Sequence, residues 1–429
     1  MIATIHVGRV DANPGIVSSN PCPHQGDEAH VLIRIDNISH ILSAYGAVAA
    51  EAAIANLDSV LDQLGGEAGM FEVRRPGLVE LSFGHGGRAD VADALELALG
   101  RLSGEPVRLP GCDLHLALSC VVAGDEGSCA LPDYEAAGDE GAWAERYRRN
   151  MSLAAEALAA MREGRLHLSW QPVRSAAAPA QILYSEALAR VVGRDGRVLS
   201  PSAFIPAMEA LGLMRHFDRR IVTAVLDELE NFPAAVLGVN ISAQSARLDV
   251  WWVSMLARLR RSPDMARRLV VEITESAALH ADAHAFVREL RRLGCRVALD
   301  DFGVGHASVR NAMALGPDII KVDGFFLKWA GSDPANYTFL EHMIGVAGVI
   351  APVVIVEGVE TAEQSRMAAT LQSQDGRRSP CWQQGHHLGC ASVWRSWTYS
   401  RDGDEAVRSV PLRELSERPR AFHGGEGLA

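Results

Sequence analysis

Two aspartates stand side by side in Ala298-Leu299-Asp300-Asp301-Phe302-Gly303, where an apolar run gives way to a glycine-bearing loop. Successive side chains of a strand point to opposite faces, so adjacent carboxylates serve one site only if the chain turns between them. Comparable endings recur. Short apolar runs finish at Glu186, Asn240, Glu272, Asp300 with Asp301, Lys321 and Glu357. One acid at such a junction is ordinary helix capping or solvated loop charge, because Asp and Asn are favoured there. Repetition along the chain weakens that account. Grouped carboxylates raise one another's pKa and stay ionised only beside cations. The set is rich in oxygen and has no thiol, which matches Mg2+ or Mn2+ rather than structural zinc. Two neighbouring ions sharing a carboxylate would clamp an attacking water and a leaving oxygen, the arrangement suited to phosphodiester hydrolysis.

Such residues act together only if the fold brings the run ends to one place. The runs HLSWQPV, ILYSEAL, VLGVNIS, LVVEITE, RVALDDF, IIKVD and VVIVEGV fall within residues 151–400, most of them separated by amphipathic stretches. Strands alternating with helices predict an α/β domain with a parallel sheet, and this many units predict a barrel whose strand ends converge on one mouth. Before it, residues 28–125 read as a smaller α+β unit. It begins with the strand VLIRI and a helical stretch from Ile38 to Leu64, then MFEVR and LVELSF form a hairpin around Arg75-Pro76-Gly77. A helix from Val91 to Leu102 and the strands VRL and LHLALSCVV complete it. Residues 1–27 read as a flexible tail, 126–150 as a linker and connecting helix, and 401–429 as a C-terminal tail.

Tyr184-Ser185-Glu186-Ala187-Leu188-Ala189-Arg190 resembles the signature of the EAL domain, the cyclic di-GMP phosphodiesterase family. The resemblance continues in order through Trp170-Gln171-Pro172, Phe204-Ile205-Pro206, Val239-Asn240-Ile241-Ser242, Glu272-Ile273-Thr274-Glu275, Asp300-Asp301-Phe302-Gly303, Lys321-Val322-Asp323 and Glu357-Gly358-Val359-Glu360. It implies a modified TIM barrel that hydrolyses cyclic di-GMP to pGpG with two Mg2+ or Mn2+ ions. Glu186, Asn240, Glu272 and Asp300 would hold one ion; Asp300 would bridge to the second, near Asp301 and Glu357. Lys321 would orient the water, Gln171, Leu188, Arg190 and Gln384 would contact substrate, and Glu275 would anchor the loop after Asp301. A homodimer through the EAL domain is a further implication. Two stretches depart from the family: Val304-Gly305-His306-Ala307-Ser308 replaces Thr-Gly-Tyr-Ser-Ser, and the chain diverges after Gln384-Gly385.

The first unit resembles a GGDEF domain, the diguanylate cyclase fold, without its chemistry. The spacing to Tyr45-Gly46 puts Arg34 where the family's metal-binding aspartate belongs, and the turn at Arg75-Pro76-Gly77 contains no acid. Gly65-Gly66-Glu67-Ala68 precedes the hairpin and is not the signature turn. The implied role is regulatory, with a protein partner. Rival readings are a cyclic di-GMP receptor that does not cleave and a signalling scaffold; retention of the signature glutamate and both aspartates favours catalysis.

A formal charge of -12 argues against a grip on nucleic-acid polymers or anionic membranes, which needs a basic face. Seven cysteines without a CxxC pair indicate reduced thiols and a cytoplasmic setting. No signal peptide or membrane insertion is expected: the start lacks a basic-then-apolar pattern, and the apolar run from Met343 to Val356 is short and split by Pro352. Cys381, His386, His387 and Cys390 match no common zinc spacing, and Trp251-Trp252 is read as helix packing.

Overall fold

The computed structural model describes residues 29–65, 71–75, 77–83, 88–122, 140–274, 282–304, 309–374 and 381–397. Two compact units emerge. The first gathers residues up to 167 with 189–221 and 247–258; the second holds 168–188, 222–246 and 259 onward.

In the first unit β1 (Ala29–Ile35), β2 (Phe71–Arg75), β3 (Leu78–Phe83) and β6 (Leu118–Val122) form an antiparallel sheet in the order β2-β3-β1-β6, and β4 (Val107–Leu109) pairs with β5 (Cys112–Leu114). Val31, Ile33 and Ile35 are buried while Leu32 and Arg34 are half-buried, the period-two pattern of a one-sided sheet. The helices are α1 (Ile38–Tyr45), α2 (Ala47–Gly65), α3 (Arg88–Gly104) and α4 (Glu140–Arg162). The single helix expected over 38–64 is therefore two, broken at Gly46, whose φ of 88° a helix does not accept. The run LHLALSCVV is likewise interrupted at His115–Ala117. There buried Asn37 donates to His115 O at 3.1 Å and accepts from Ala117 N at 3.0 Å, a side-chain substitute for ladder bonds.

In the second unit eight strands close a ring: β7 (Leu166–Ser175), β8 (Ile182–Val192), β10 (Leu237–Ile241), β11 (Leu269–Thr274), β12 (Arg296–Phe302), β13 (Ile319–Val322), β14 (Val353–Val356) and β15 (Trp382–Gln383). Short β9 (Val198–Leu199) folds back on the end of β8. The ring is parallel from β8 through β10 to β15, but β7 meets β15 antiparallel, so the all-parallel sheet expected from the strand–helix alternation is corrected at one strand. Of the helices that follow, α5 (Pro201–Leu211) lies in the first unit, α6 (Met214–Asn231) and α7 (Val253–Arg261) run from the first unit into the second, and α8 (Pro263–Ala266), α9 (Ala283–Leu293), α10 (Val309–Leu315), α11 (Gly324–Ala330), α12 (Pro334–Ile350) and α13 (Ala362–Gln374) lie in the second. Trp251 and Trp252, which belong to the first unit, are each 1% exposed. Among the described residues no helix is long and apolar enough to cross a membrane.

Candidate active site

Strand parity decides which residues look into the ring. Tyr184 and Glu186 alternate along β8, Gly238 and Asn240 along β10, Val270 and Glu272 along β11, Ala298 and Asp300 along β12, and Ile319 and Lys321 along β13. The lower members of these pairs, apart from Gly238, belong to an apolar cluster with Ile355 and Trp382. The upper members are the polar residues anticipated from the sequence. The ring thus carries a polar layer on an apolar floor, at the C-terminal ends of its parallel strands.

Lys321 lies at the centre of that layer and is 1% exposed. Its Nζ is 2.6 Å from Glu272, 2.8 Å from Glu357, 3.1 Å from Asp300 and 3.3 Å from Glu186. Glu186 also accepts from Asn240 Nδ2 and Gln384 Nε2, and the Gln384 amide reaches Gln171 Oε1 at 3.4 Å. Gln171 in turn donates to Gly389 O at 3.2 Å. Ligand oxygens of Glu186, Glu272 and Asp300 lie within 4.8 Å of one another, as do those of Asp300, Asp301 and Glu357.

The adjacent aspartates reach one site because the strand is irregular between them and Phe302. The pairing of β12 with β13 shifts between Leu299 and Phe302, and Asp301 has φ 54°. A positive φ is costly for a residue with a Cβ and is retained where the surroundings hold it. Here it places the second carboxylate alongside the first. The Asp301 amide also donates to Asp300 Oδ1 at 3.0 Å.

Electrostatics divides these acids. Burial pushes Glu186 up, but Lys321 and the two amide donors outweigh it and hold the carboxyl below its usual range. Burial raises Asp300, and raises Glu272 and Glu357 far above theirs. Burial, with the charge of Asp300, pushes Asp301 up to about 7. Lys321 stays protonated because its carboxylate neighbours overcome the cost of burial. Lys321 therefore does not neutralise the whole set. Among the described residues, the buried oxygens Asn240 Oδ1, Glu272 Oε1 and Gln384 Oε1 have no hydrogen-bond partner. Unpartnered acceptors among carboxylates raised by burial fit a divalent, oxygen-seeking cation, so the residues present suit Mg2+ or Mn2+.

Leu188 and Arg190 follow Glu186 on the same face of β8 by parity, and Arg190 Nη1 donates to the carbonyl of Ala189 at 3.0 Å. Glu275 and the segment Gly305-His306-Ala307-Ser308 lie outside the described residues; Val304 is exposed. Cys381 Sγ faces Ala369 O at 3.6 Å, and Cys390 is exposed near His386 O at 4.0 Å. Two contributors have no motif-based role: Gly238, where an added Cβ would lie 2.2 Å from Glu272 Oε1, and Asp323. The charge of Asp323 helps raise Asp301, and Asp323 caps α11 through Phe325 N at 2.7 Å. An Asp ending an apolar run just before a helix was the available signal for the last.

A closed ring with its acids at the C-terminal ends of its parallel strands and a lysine among them defines a barrel domain with a carboxylate-rich site at its mouth. Residues 154–373, just over half of the chain, match the EAL domain family, and the chain belongs to that family. It is similar to the cyclic di-GMP phosphodiesterase PdeF of Escherichia coli (strain K12), 31% identical over 190 residues that cover 42% of this chain and 25% of that protein. It is also similar to the cyclic di-GMP phosphodiesterase PdeB of Shewanella oneidensis, 29% identical over 254 residues, 57% of this chain and 29% of that protein. The chain spans between about a quarter and a third of the length of these relatives. Among solved structures, the EAL enzyme Bd1971 in its cAMP-bound form aligns with TM-score 0.50 and 22% identity, covering 59% of this chain and 71% of that one. That likeness is one of fold.

Proposed function

We propose that this chain is a metal-dependent phosphodiesterase that opens cyclic di-GMP to the linear dinucleotide pGpG. The observation that carries this reading is the pair of carboxylate groups sharing Asp300, with Lys321 against both. Glu186, Asn240, Glu272 and Asp300 would hold one Mg2+ or Mn2+, and Asp300, Asp301 and Glu357 the other. The ions would supply Lewis acidity and neutralise charge on the phosphodiester. Lys321, pinned by its carboxylates, has a fixed ammonium to orient the attacking water. Asp301 and Glu357, the partly exposed acids, are placed to take its proton. Gln384 couples Glu186 to Gln171, which presents an amide for the substrate's polar edges. Leu188 and Arg190 extend the same strand face with an apolar contact and a positive charge for the dinucleotide.

The test is purified chain with Mg2+ or Mn2+ and cyclic di-GMP, with nucleotides separated by chromatography. Appearance of pGpG, abolished by Glu186→Ala, is expected. Tight binding without pGpG under several metals would make the protein a receptor and sink the enzymatic reading.

We read the first unit as GGDEF-like and without cyclase activity. Arg34 replaces a cation ligand and is bound to Asp36 at 2.7 Å, which opposes a metal–triphosphate complex there. GTP is expected to yield no cyclic di-GMP; synthesis lost on deleting residues 1–140 overturns this. Homodimerisation through the barrel domain is supported by Phe325, Trp329 and Phe339, which are 56%, 40% and 43% exposed and contact one another as rings. Light scattering of Trp329→Glu should report a monomer where the unaltered chain reports a dimer.

A further inference from the structure

The chain departs from the family pattern after Gln384-Gly385, yet the residues that follow are fixed against the candidate site. Leu388 N and Gly389 N donate to Gly385 O at 3.0 and 3.1 Å, and Ser392 exchanges backbone hydrogen bonds with Trp170 at 2.7 and 3.0 Å. Between these anchors Gly389 lies against β7, where an added Cβ would be 2.7 Å from Cγ of Pro172. That close approach brings the Gly389 carbonyl to Gln171, whose Nε2 donates to it at 3.2 Å. The orientation of each amide then follows from its neighbour. A carboxylate only accepts, so Gln384 turns its nitrogen to Glu186, and the same nitrogen lies 3.4 Å from Gln171 Oε1. With its oxygen on Gln384, Gln171 has its nitrogen on Gly389. One polar link therefore runs from a backbone carbonyl through two amides to Glu186, and Gln384 and Glu186 are each 4% exposed. Buried links of this kind hold their members in one arrangement when every partner is present.

We propose that Gln171 is a positioning residue for Glu186, anchored by the carbonyl of Gly389: it holds the Gln384 nitrogen on Glu186 and so fixes the direction in which that carboxylate meets a cation. The two hydrogen bonds leave the Gln171 amide one N–H and one lone pair, so its contact with substrate is kept. The anchor belongs to the segment in which this chain leaves the family pattern. Groups that orient metal ligands in this way commonly change metal affinity when removed. This inference rests on the metal-site reading given above.

The experiment uses the full chain and Mn2+ as the probe, without nucleotide. Mn2+ binding is measured by calorimetry for the unaltered chain, Gln171→Met, Gly389→Ala, the double variant and Glu186→Gln, with thermal unfolding of each in chelator to show that it is folded. Gln171→Met keeps the side-chain length and loses both polar ends; it is expected to bind Mn2+ about 10-fold more weakly. A residue that only touched substrate would leave Mn2+ binding as it was, so an affinity within about twofold of the unaltered chain overturns the inference. Gly389→Ala adds no polar group and should also weaken Mn2+ binding. The double variant should then bind within about twofold of Gln171→Met alone, because both changes break the same link. Effects that multiply, or a Gly389→Ala that binds as the unaltered chain does, would overturn the anchor at Gly389. Should Gly389→Ala fail to fold, Gln171→Met decides alone. If the unaltered chain binds Mn2+ no better than Glu186→Gln, the metal-site reading fails and takes this inference with it.

Discussion

Replacing Lys321 by methionine keeps most of the side-chain volume and removes the one positive charge in direct contact with four carboxylates. In the structure that charge lies 2.6–3.3 Å from all four and is 1% exposed. A single unit-charge pair near 3 Å is worth roughly 5 kcal/mol at an effective dielectric of about 20. The full sum is not lost, because the acids raised by burial can take up protons instead. Removing one partner of a buried pair costs about 3–5 kcal/mol, and that is the loss expected in chelator at about pH 8. The pH sign is definite. Without the ammonium, the folded-state pKa values of Asp300, Glu272 and Glu357 rise further above their ordinary values of 3.8 and 4.5, and Glu186 loses the charge that holds it down. The folded state then binds more protons than the unfolded one, so the deficit is small near pH 4.5 and grows as pH rises. Saturating Mn2+ should reduce it, since a ligand at about 100 times its Kd contributes about 2.7 kcal/mol to the folded state. Urea unfolding of both proteins at two pH values, in chelator and in Mn2+, reads every arm. A loss below about 1 kcal/mol at about pH 8 in chelator, or one independent of pH, would refute the reasoning, because it would place the ammonium outside the buried cluster.

Gly238→Ala would put a methyl 2.2 Å from Glu272 Oε1; overpacking of this kind costs about 1–3 kcal/mol, and phosphodiesterase turnover should fall further than urea stability does. His115 is buried, donates through Nδ1 to Ser103 O at 3.1 Å, and is lowered by burial to about 4. Its folded pKa is depressed, so its contribution is complete above about pH 6.5 and is lost as pH falls toward about 4, a total near 3 kcal/mol; His115→Gln should flatten that part of an acid-unfolding curve. Glu96, 2% exposed, accepts from Arg219 at 2.7 Å and from Ser254 N and Oγ at 2.8 and 2.7 Å. Glu96→Ala leaves these donors without their acceptor and should cost about 3 kcal/mol by chemical unfolding, with Glu96→Gln recovering part of it.

The polar layer was legible in the sequence because each of its members ends an apolar run, and a parallel barrel brings run ends together. Trp382–Gln383 was harder to read as a strand: two residues carry no periodicity, and the pair counts as a strand only by bonding to β14 and β7. The reversed direction of β7 was hidden for a similar reason, since strand direction is set by neighbours and HLSWQPV reads the same either way. Asp323 was visible as a residue but not as a partner, because its link to Asp301 crosses from one strand end to the next.

The sequence by itself determined the chemistry available: which carboxylates, amide and lysine stand at strand ends, and in what order along the chain. Residue type and spacing are local properties, and the apolar runs record them. Only the tertiary structure decided how those groups share space. It set Lys321 among four acids, turned Asp301 beside Asp300 through a positive φ, and packed Glu272 and Tyr184 against Gly238, where no side chain fits. These are distances between strands, fixed by register and by what neighbouring strands leave empty, and no single stretch of chain contains them.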